Sequence, residues 1–377
     1  MTSPVTPPAD GAWYQEWLFE AALPLWARAG VDPASGGFHE ALDADGVPIP
    51  SPRRARVQAR QIYVFAEAGR LGWAGDWRGL VERGTARYVG DFRRPDGLFR
   101  AVTAPDGAVI DDTALLYDQA FALFGLSHAW RSLGRPDHLR RTALDVLGRL
   151  EAERAHPRFG FEEGRPRVLP LLANPHMHLL EAALAWEEVD DDPRWPRLGG
   201  AVARAAREAF VEPRTGAVRE YYDGDWAPAA GERGRIFEPG HQYEWAWLLD
   251  RWARARGEGW DDLLRPMLAL AETRGIDPRR GSLVAEVLID GGVRDPVSRL
   301  WPHTERIKAL TALGPRLLPD AWAEEREATA GVLAAYLDVP LRGLWRDKLR
   351  PDGTFADEPS PASSFYHILG AILALRG

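Results

Sequence analysis

Gly97-Leu98-Phe99-Arg100, followed shortly by Asp106-Gly107, decides how this chain is read. A short alternating stretch that runs into Asp-Gly predicts a hairpin, because Asp-Gly tolerates the positive φ that a tight turn demands. The glycine-led stretch occurs six times, and five of the copies are followed by Asp-Gly. The other copies are Gly37-Phe38-His39-Glu40, Gly160-Phe161-Glu162-Glu163, Gly216-Ala217-Val218-Arg219, Gly281-Ser282-Leu283-Val284 and Gly343-Leu344-Trp345-Arg346. Asp45-Gly46, Asp223-Gly224, Asp290-Gly291 and Asp352-Gly353 supply further second turns. The interval is roughly 60 residues, longer than common solenoid units.

Each interval has room for two helices. Residues 137–153 carry Leu139, Ala143, Leu147 and Leu150 on one stripe among charged residues, the pattern of an outer, amphipathic helix. By contrast, 177–186, 243–253 and 365–375 are apolar nearly all round, as buried helices are. Reading on in this way predicts about twelve helices, near 11–30, 53–72, 76–91, 112–134, 137–153, 173–188, 195–209, 237–256, 259–275, 299–313, 319–339 and 361–376. Six outer and six inner helices make an all-α fold, an (α/α)6 barrel with short β-hairpins at one mouth. An open superhelix of helix pairs is the alternative. Closure is favoured because the first and last repeats are as apolar as the middle ones, whereas an open stack needs polar caps.

Residues 1–10 read as a flexible N-terminal tail without a signal peptide's basic start or apolar run, and 11–377 as a single barrel domain. The longest apolar stretch, 368–375, is far below the ~18 residues of a membrane span. A cytoplasmic protein with no membrane partner is expected. The net charge of −8, with no Lys/Arg block, argues against nucleic acid. The absence of cysteine removes disulfides, thiolate catalysis and Cys-based zinc sites. Sixteen tryptophans serve mostly as core, though some can floor a carbohydrate site. Monomer and homodimer both remain open.

Each hairpin precedes an inner helix, so all six hairpins and all six inner-helix N-termini should gather at one end. The residues that break the apolar pattern lie there. The first inner helix carries Arg53, Arg56, Arg60 and Tyr63, and the second opens with Tyr117-Asp118-Gln119. The third opens with Asn174-Pro175-His176-Met177-His178, with Glu181 one turn on. Glu238-Pro239-Gly240-His241-Gln242-Tyr243-Glu244, Trp301-Pro302-His303-Thr304-Glu305 and Ser363-Ser364-Phe365-Tyr366-His367 open the remaining three. One such opening is capping chemistry. Six on one side of a ring, rich in His, Arg, Glu and Trp, fit a site better.

Helical spacing puts Asn174, His178 and Glu181 on one face, His241 with Glu244, and Trp301 with Glu305. His176 and His303 point away and read as residues that support the site from behind or pack; His138 and His156 read as solvated. Three histidines from three inner helices, His178, His241 and His367, can surround one small substrate. Imidazole exchanges protons near neutral pH, and helix N-termini, Arg60 and protonated histidine favour developing oxyanion charge. That suits proton transfer beside a sugar carbonyl, with Glu244 tuning His241 and Glu181 tuning His178. A metal is the rival for any His/Glu gathering, but no His-Glu-x-x-His helix is present. No metal or other cofactor is expected.

Gln58-Ala59-Arg60-Gln61, Asn174-Pro175-His176-Met177-His178, Glu238-Pro239-Gly240-His241 with Glu244-Trp245, Trp301-Pro302 with Glu305, and Phe365-Tyr366-His367 together resemble the N-acylglucosamine 2-epimerase superfamily across nearly the whole chain. That group includes cellobiose 2-epimerases, mannose isomerases and sulfoquinovose isomerases, all metal-independent (α/α)6 barrels. The Pro-Gly-His-x-x-Glu-Trp stretch is most similar to the mannose isomerase branch. The resemblance implies that His241 and His367 form the acid/base pair. Arg60, Tyr117, Asn174, His178, Glu244, Trp301 and Glu305 would hold the sugar or support those histidines, and Arg233 or Arg235 would add a contact.

An aldose–ketose isomerase of the mannose–fructose type is therefore expected, with a sugar 2-epimerase as alternative. An inverting glycoside hydrolase would instead need two carboxylates ~6.5–9.5 Å apart, which Glu181, Glu244 and Glu305 keep open. A non-catalytic sugar-binding protein is the third reading.

Overall fold

The computed structural model describes residues 11–376; the expected tail at 1–10 lies outside them. The first helix runs through α1 (Gly11–Glu16), a π segment (Trp17–Ala22) and α2 (Leu23–Ala29). Outer helices follow as α4 (Trp77–Phe92), α6 (Asp137–Glu153), α8 (Arg194–Ala205), α10 (Asp261–Arg274) and α12 (Trp322–Leu337). The inner ones are α3 (Ala55–Arg70), α5 (Leu116–Ser132), α7 (Asn174–Glu187), α9 (Pro239–Arg254), α11 (Leu300–Leu317) and α13 (Ser363–Leu375). With the first run counted once, these are the twelve helices of an (α/α)6 barrel among the described residues.

Patterning explains the two layers. In α6 the buried positions are Leu139, Thr142, Ala143, Val146, Leu147 and Leu150, one stripe that faces the ring while the rest stays wet. In α5 and α7 nearly every residue is buried, because neighbours pack on all sides. The ring closes: α13 packs on α3, and Ala41–Leu42 pairs antiparallel with Ser360–Pro361. The open superhelix is thereby excluded.

The turns follow the repeat with two departures. Gly36, not Gly37, is the left-handed residue of the first copy, and in the fourth Trp226 (φ 66°) takes that conformation and not Gly224. The strands are only two or three residues long and pair chiefly between repeats. Arg53–Arg54 pairs with Val102–Thr103, Leu171–Leu172 with Tyr221–Tyr222, and Ser298–Arg299 with Lys348–Leu349. Five of the six inner helices are thus entered from a strand stitched to the next hairpin round the ring, whereas Val109–Asp111, before α5, pairs back on its own hairpin. This is why the predicted helix start at 53 gives way to a strand before Ala55, while the start predicted at 112 falls in irregular chain between Val109–Asp111 and Leu116.

A second, unforeseen repeat fastens each hairpin to its own inner helix. Gln58 accepts from Phe38 N and donates to Phe38 O, and Gln119 does the same for Phe99. Gln242 donates to Val218 O. His176 Nε2 accepts from Phe161 N at 2.9 Å, and His303 Nε2 from Leu283 N at 3.0 Å. In the sixth repeat the tie comes from the strand before the helix, where Ser360 Oγ accepts from Trp345 N and donates to Trp345 O. The contact is tight: a Cβ on Gly160 would lie 2.4 Å from His176 Nε2, so only glycine fits. Among the described residues, no helix is long and apolar enough to cross a membrane.

Candidate active site

The inner-helix N-termini enclose a hollow of about 180 Å3. Arg60 of α3, Tyr117 of α5, and Asn174 and His178 of α7 line one side. His241 and Glu244 of α9, Trp301 of α11 and His367 of α13 line the other. Glu238, Arg299, Ser363 and Ser364, which spacing did not single out for roles, complete the wall.

His241 and His367 flank one ring: their centroids lie 4.9 and 5.5 Å from that of Trp301. Trp301 reaches this position because residue 240 is glycine; a Cβ there would come within 2.5 Å of the indole. The carboxylates behind the two histidines come from different places. Glu305 Oε1 accepts from His367 Nδ1 at 2.8 Å, the pairing that helix neighbours suggested only as support. His241 Nδ1 donates to Glu220 at 3.0 Å, with Glu238 3.7 Å away, so Glu220 and not Glu244 orients it. Glu181 does bind His178, at 3.1 Å, and its other oxygen accepts from Tyr366 Oη. Glu181 and Glu305 therefore stand behind the histidines and do not line the hollow.

These surroundings push the two histidines apart. Burial alone would depress His241, but the Glu220 and Glu238 carboxylates outweigh it and lift it to about 10, so it carries a proton at neutral pH. Burial, reinforced by Arg60 and Lys308, holds His367 well below 6.5 and leaves it neutral. His178 is likewise neutral, lowered to about 4 by burial against the opposing pull of Glu181. One buried acid and one buried base facing a common cavity is an arrangement for proton transfer. Burial, with Glu305 and Glu181 nearby, raises Glu244 well above the carboxylate range, making it a neutral hydrogen-bond donor as well as an acceptor. Arg60 donates to Tyr117 Oη at 3.0 Å and lies over the Phe121 ring, which fixes its charge at the wall.

Other predicted residues go elsewhere. Arg53 pairs with Asp32 and Arg56 with Asp118, so Arg60 alone of the three lines the hollow. Tyr63 faces a chamber at the opposite end of the barrel. Neither Arg233, over the Tyr221 ring, nor Arg235, paired with Asp290, lines the hollow; Arg299 supplies an arginine at its rim, held by Asp347. His138 is exposed, but His156 is buried, accepting from Trp226 Nε1 and bonded to Gly224 O. A solvated His156 is thus corrected: the turn at Asp223-Gly224 of the next repeat folds over it.

Glu220 was missed, yet the repeats held a signal. Glu40, Glu163 and Glu220 all follow the hairpin glycine, and each takes a backbone N–H on the approach to an inner helix, from Arg54, Leu172 and Glu238 respectively. In the fourth repeat this structural acid also meets a histidine. Among the described residues, three groups bring His and Glu ligand atoms within 4.8 Å of one another: His178/Glu181/Glu244, Glu220/Glu238/His241 and Glu244/Glu305/His367. In each, a His Nδ1 already donates to a carboxylate, which leaves the second ring nitrogen for substrate or ion.

The family model of N-acylglucosamine 2-epimerase matches residues 36–371. The chain is 46% identical over 375 residues to a mannose-6-phosphate isomerase of Rhizobium meliloti (strain 1021), covering 96% of this chain and 95% of that protein. It is 28% identical to a D-mannose isomerase of Thermobifida fusca, covering 91% and 92%. A solved D-mannose isomerase superposes with a TM-score of 0.88 at 21% identity, covering 98% of both chains, and shares the fold. The match over almost the entire ring, on a barrel whose one mouth gathers carboxylate-backed histidines, means that this chain belongs to the N-acylglucosamine 2-epimerase family.

Proposed function

We propose that this protein is an aldose–ketose isomerase of the mannose–fructose type that works through an enediolate. Neutral His367 removes the C2 proton of the open-chain sugar and returns it to C1. Protonated His241 gives its proton to the carbonyl oxygen O1 and takes one back from the O2 hydroxyl as the C2 carbonyl forms, which restores its starting state. Arg60 and Glu244 hold the oxygens on which charge develops. The observation that carries this reading is the pair of buried imidazoles in opposite charge states on either flank of Trp301. The hollow suits one hexose. A hydrolase is disfavoured because Glu181 and Glu305 are already engaged with histidines.

The test is incubation in D2O with mannose, mannose 6-phosphate, lyxose, glucose, N-acetylglucosamine and cellobiose, with products followed by NMR. Both phosphorylated and neutral mannose belong in the panel because the Rhizobium and Thermobifida relatives bear those names. Ketose formation with deuterium at C1 or C2 supports the reading. A C2-inverted aldose without ketose would instead establish 2-epimerisation, the alternative that the family description favours. No turnover on any sugar would sink both. The reading needs no metal, so turnover should survive exhaustive chelation. We further propose a cytoplasmic, single-domain enzyme, monomeric or homodimeric, which fractionation and sedimentation decide.

A further inference from the structure

The six inner faces that form the hollow continue past it into a second chamber of about 520 Å3 at the far end of the barrel. Between the two lies a wall that holds three buried acids, Glu181, Glu244 and Glu305. Lys308, one turn beyond Glu305 on α11, is buried among them at 4% exposure and lines the far chamber. It does not line the hollow, and neither its position nor the motifs around it mark it for the reaction.

Its contacts do. The Lys308 ammonium pairs with Glu305 Oε2 and lies 4.1 Å from the centroid of the Trp247 ring. The opposite oxygen of the same carboxylate, Oε1, accepts from His367 Nδ1 at 2.8 Å. We propose that Lys308 is a positioning residue for the base: it holds Glu305 as a carboxylate, and Glu305 thereby keeps the imidazole proton on Nδ1 of His367 and the lone pair on Nε2. This rests on His367 acting as the base.

The physical reason is the cost of burying charge. A carboxylate with no water and no cation takes up a proton. Burial pushes Glu305 upward and the ammonium opposes that push. Were Glu305 protonated, its O–H could donate to Nδ1, and the proton of the neutral ring would move to Nε2. A ring with Nε2–H facing the hollow cannot accept the C2 proton. The other charged or titratable groups facing this chain are Glu181 and His178 from α7, Glu244 from α9, Arg60 from α3 and Tyr366 from α13. Glu181 is engaged with His178 and Tyr366, and no hydrogen bond reaches either oxygen of Glu244 among the described residues. Lys308 is therefore the cation in direct contact with Glu305.

The test uses full-length protein labelled with 15N-histidine, in wild type, Lys308→Met, Lys308→Gln and Lys308→Arg, with the His367 signals assigned through His367→Asn. Long-range 15N–1H correlations report the tautomer without any substrate. The wild type should show Nδ1–H. Lys308→Met and Lys308→Gln should move His367 toward Nε2–H and lose about 100-fold in kcat at pH 7, with KM changed far less. Lys308→Arg should keep much of both. The low-pH limb of the kcat profile should move upward in the neutral variants, because Glu305 must now lose its proton without help. A folded Lys308→Gln protein with His367 still Nδ1–H and an unmoved profile would overturn the proposal. If His367→Asn itself retained turnover, the base assignment would fail instead, and the tautomer shift would still report whether Lys308 governs Glu305.

Discussion

Two kinds of buried histidine stand at the inner-helix starts, His176 of α7 and His303 of α11 against His241 of α9 and His367 of α13, and they are built to opposite ends. His176 and His178 both belong to the start of α7, and His303 lies two residues before Glu305 on α11. His176 and His303 bond to backbone on both ring nitrogens, accepting an N–H at Nε2 and donating from Nδ1 to Leu172 O and Arg299 O. Burial lowers each to about 4, and they stay neutral. His241 and His367 bond instead to carboxylates, which leaves one nitrogen for the hollow. Burial is common to both kinds. What separates a staple from the proton carriers proposed above is the partner, backbone carbonyl or carboxylate, and whether a nitrogen is spare.

The sharpest way to break this contrast is to remove each kind in turn. His241→Ala and His367→Ala should each lower kcat by about 100-fold to 10,000-fold, the range for general acid–base groups, while the thermal midpoint moves little. His176→Leu should do the reverse. It strands the buried N–H of Phe161 and costs about 1–3 kcal/mol in urea unfolding, while activity per folded molecule is retained. If His176→Leu abolished turnover in folded protein, the division would collapse.

A subtler variant probes the carboxylate. Glu220→Gln removes the charge that helps lift His241 to about 10, so its acid form is lost at lower pH. The high-pH limb of kcat/KM should move down by about one to three pH units. A limb that stayed in place would mean that Glu238 alone sets the acid.

The smallest effect comes from letting one repeat imitate another. Gln58, Gln119 and Gln242 fill the staple position where His176 and His303 stand. His176→Gln should therefore lose less stability than His176→Leu. The staples also carry a pH signature. Their folded pKa of about 4 lies below the unfolded value near 6.5, so the neutral ring contributes stability above pH 6.5 that is lost as pH falls toward 4. The double variant His176→Gln/His303→Gln should flatten that part of the stability–pH curve, measured by urea titration.

Much of the site was legible because it is written in local spacing. The Asn174/His178 and Trp301/Glu305 pairs follow from the helical period alone, and all four inner-helix openings that supply histidine or tryptophan face one mouth. Glu220, Arg299 and Lys308 were not legible, for a common reason. Each acts on a residue from another segment or from the far side of a helix turn, and their meaning depends on what the ring closure brings beside them. Glu220 is 21 residues from His241, and Glu305 is 62 from His367.

The amino-acid order by itself determined the six-fold alternation of hairpin, inner helix and outer helix, since periodicity of apolar residues and turn-forming glycines are properties of short windows. It also determined which residues crowd the inner-helix starts. Tertiary structure alone decided the charge each histidine bears, because a proton's affinity for imidazole is set by burial and by carboxylates delivered from distant repeats. Neither is visible along a chain until the ring has closed.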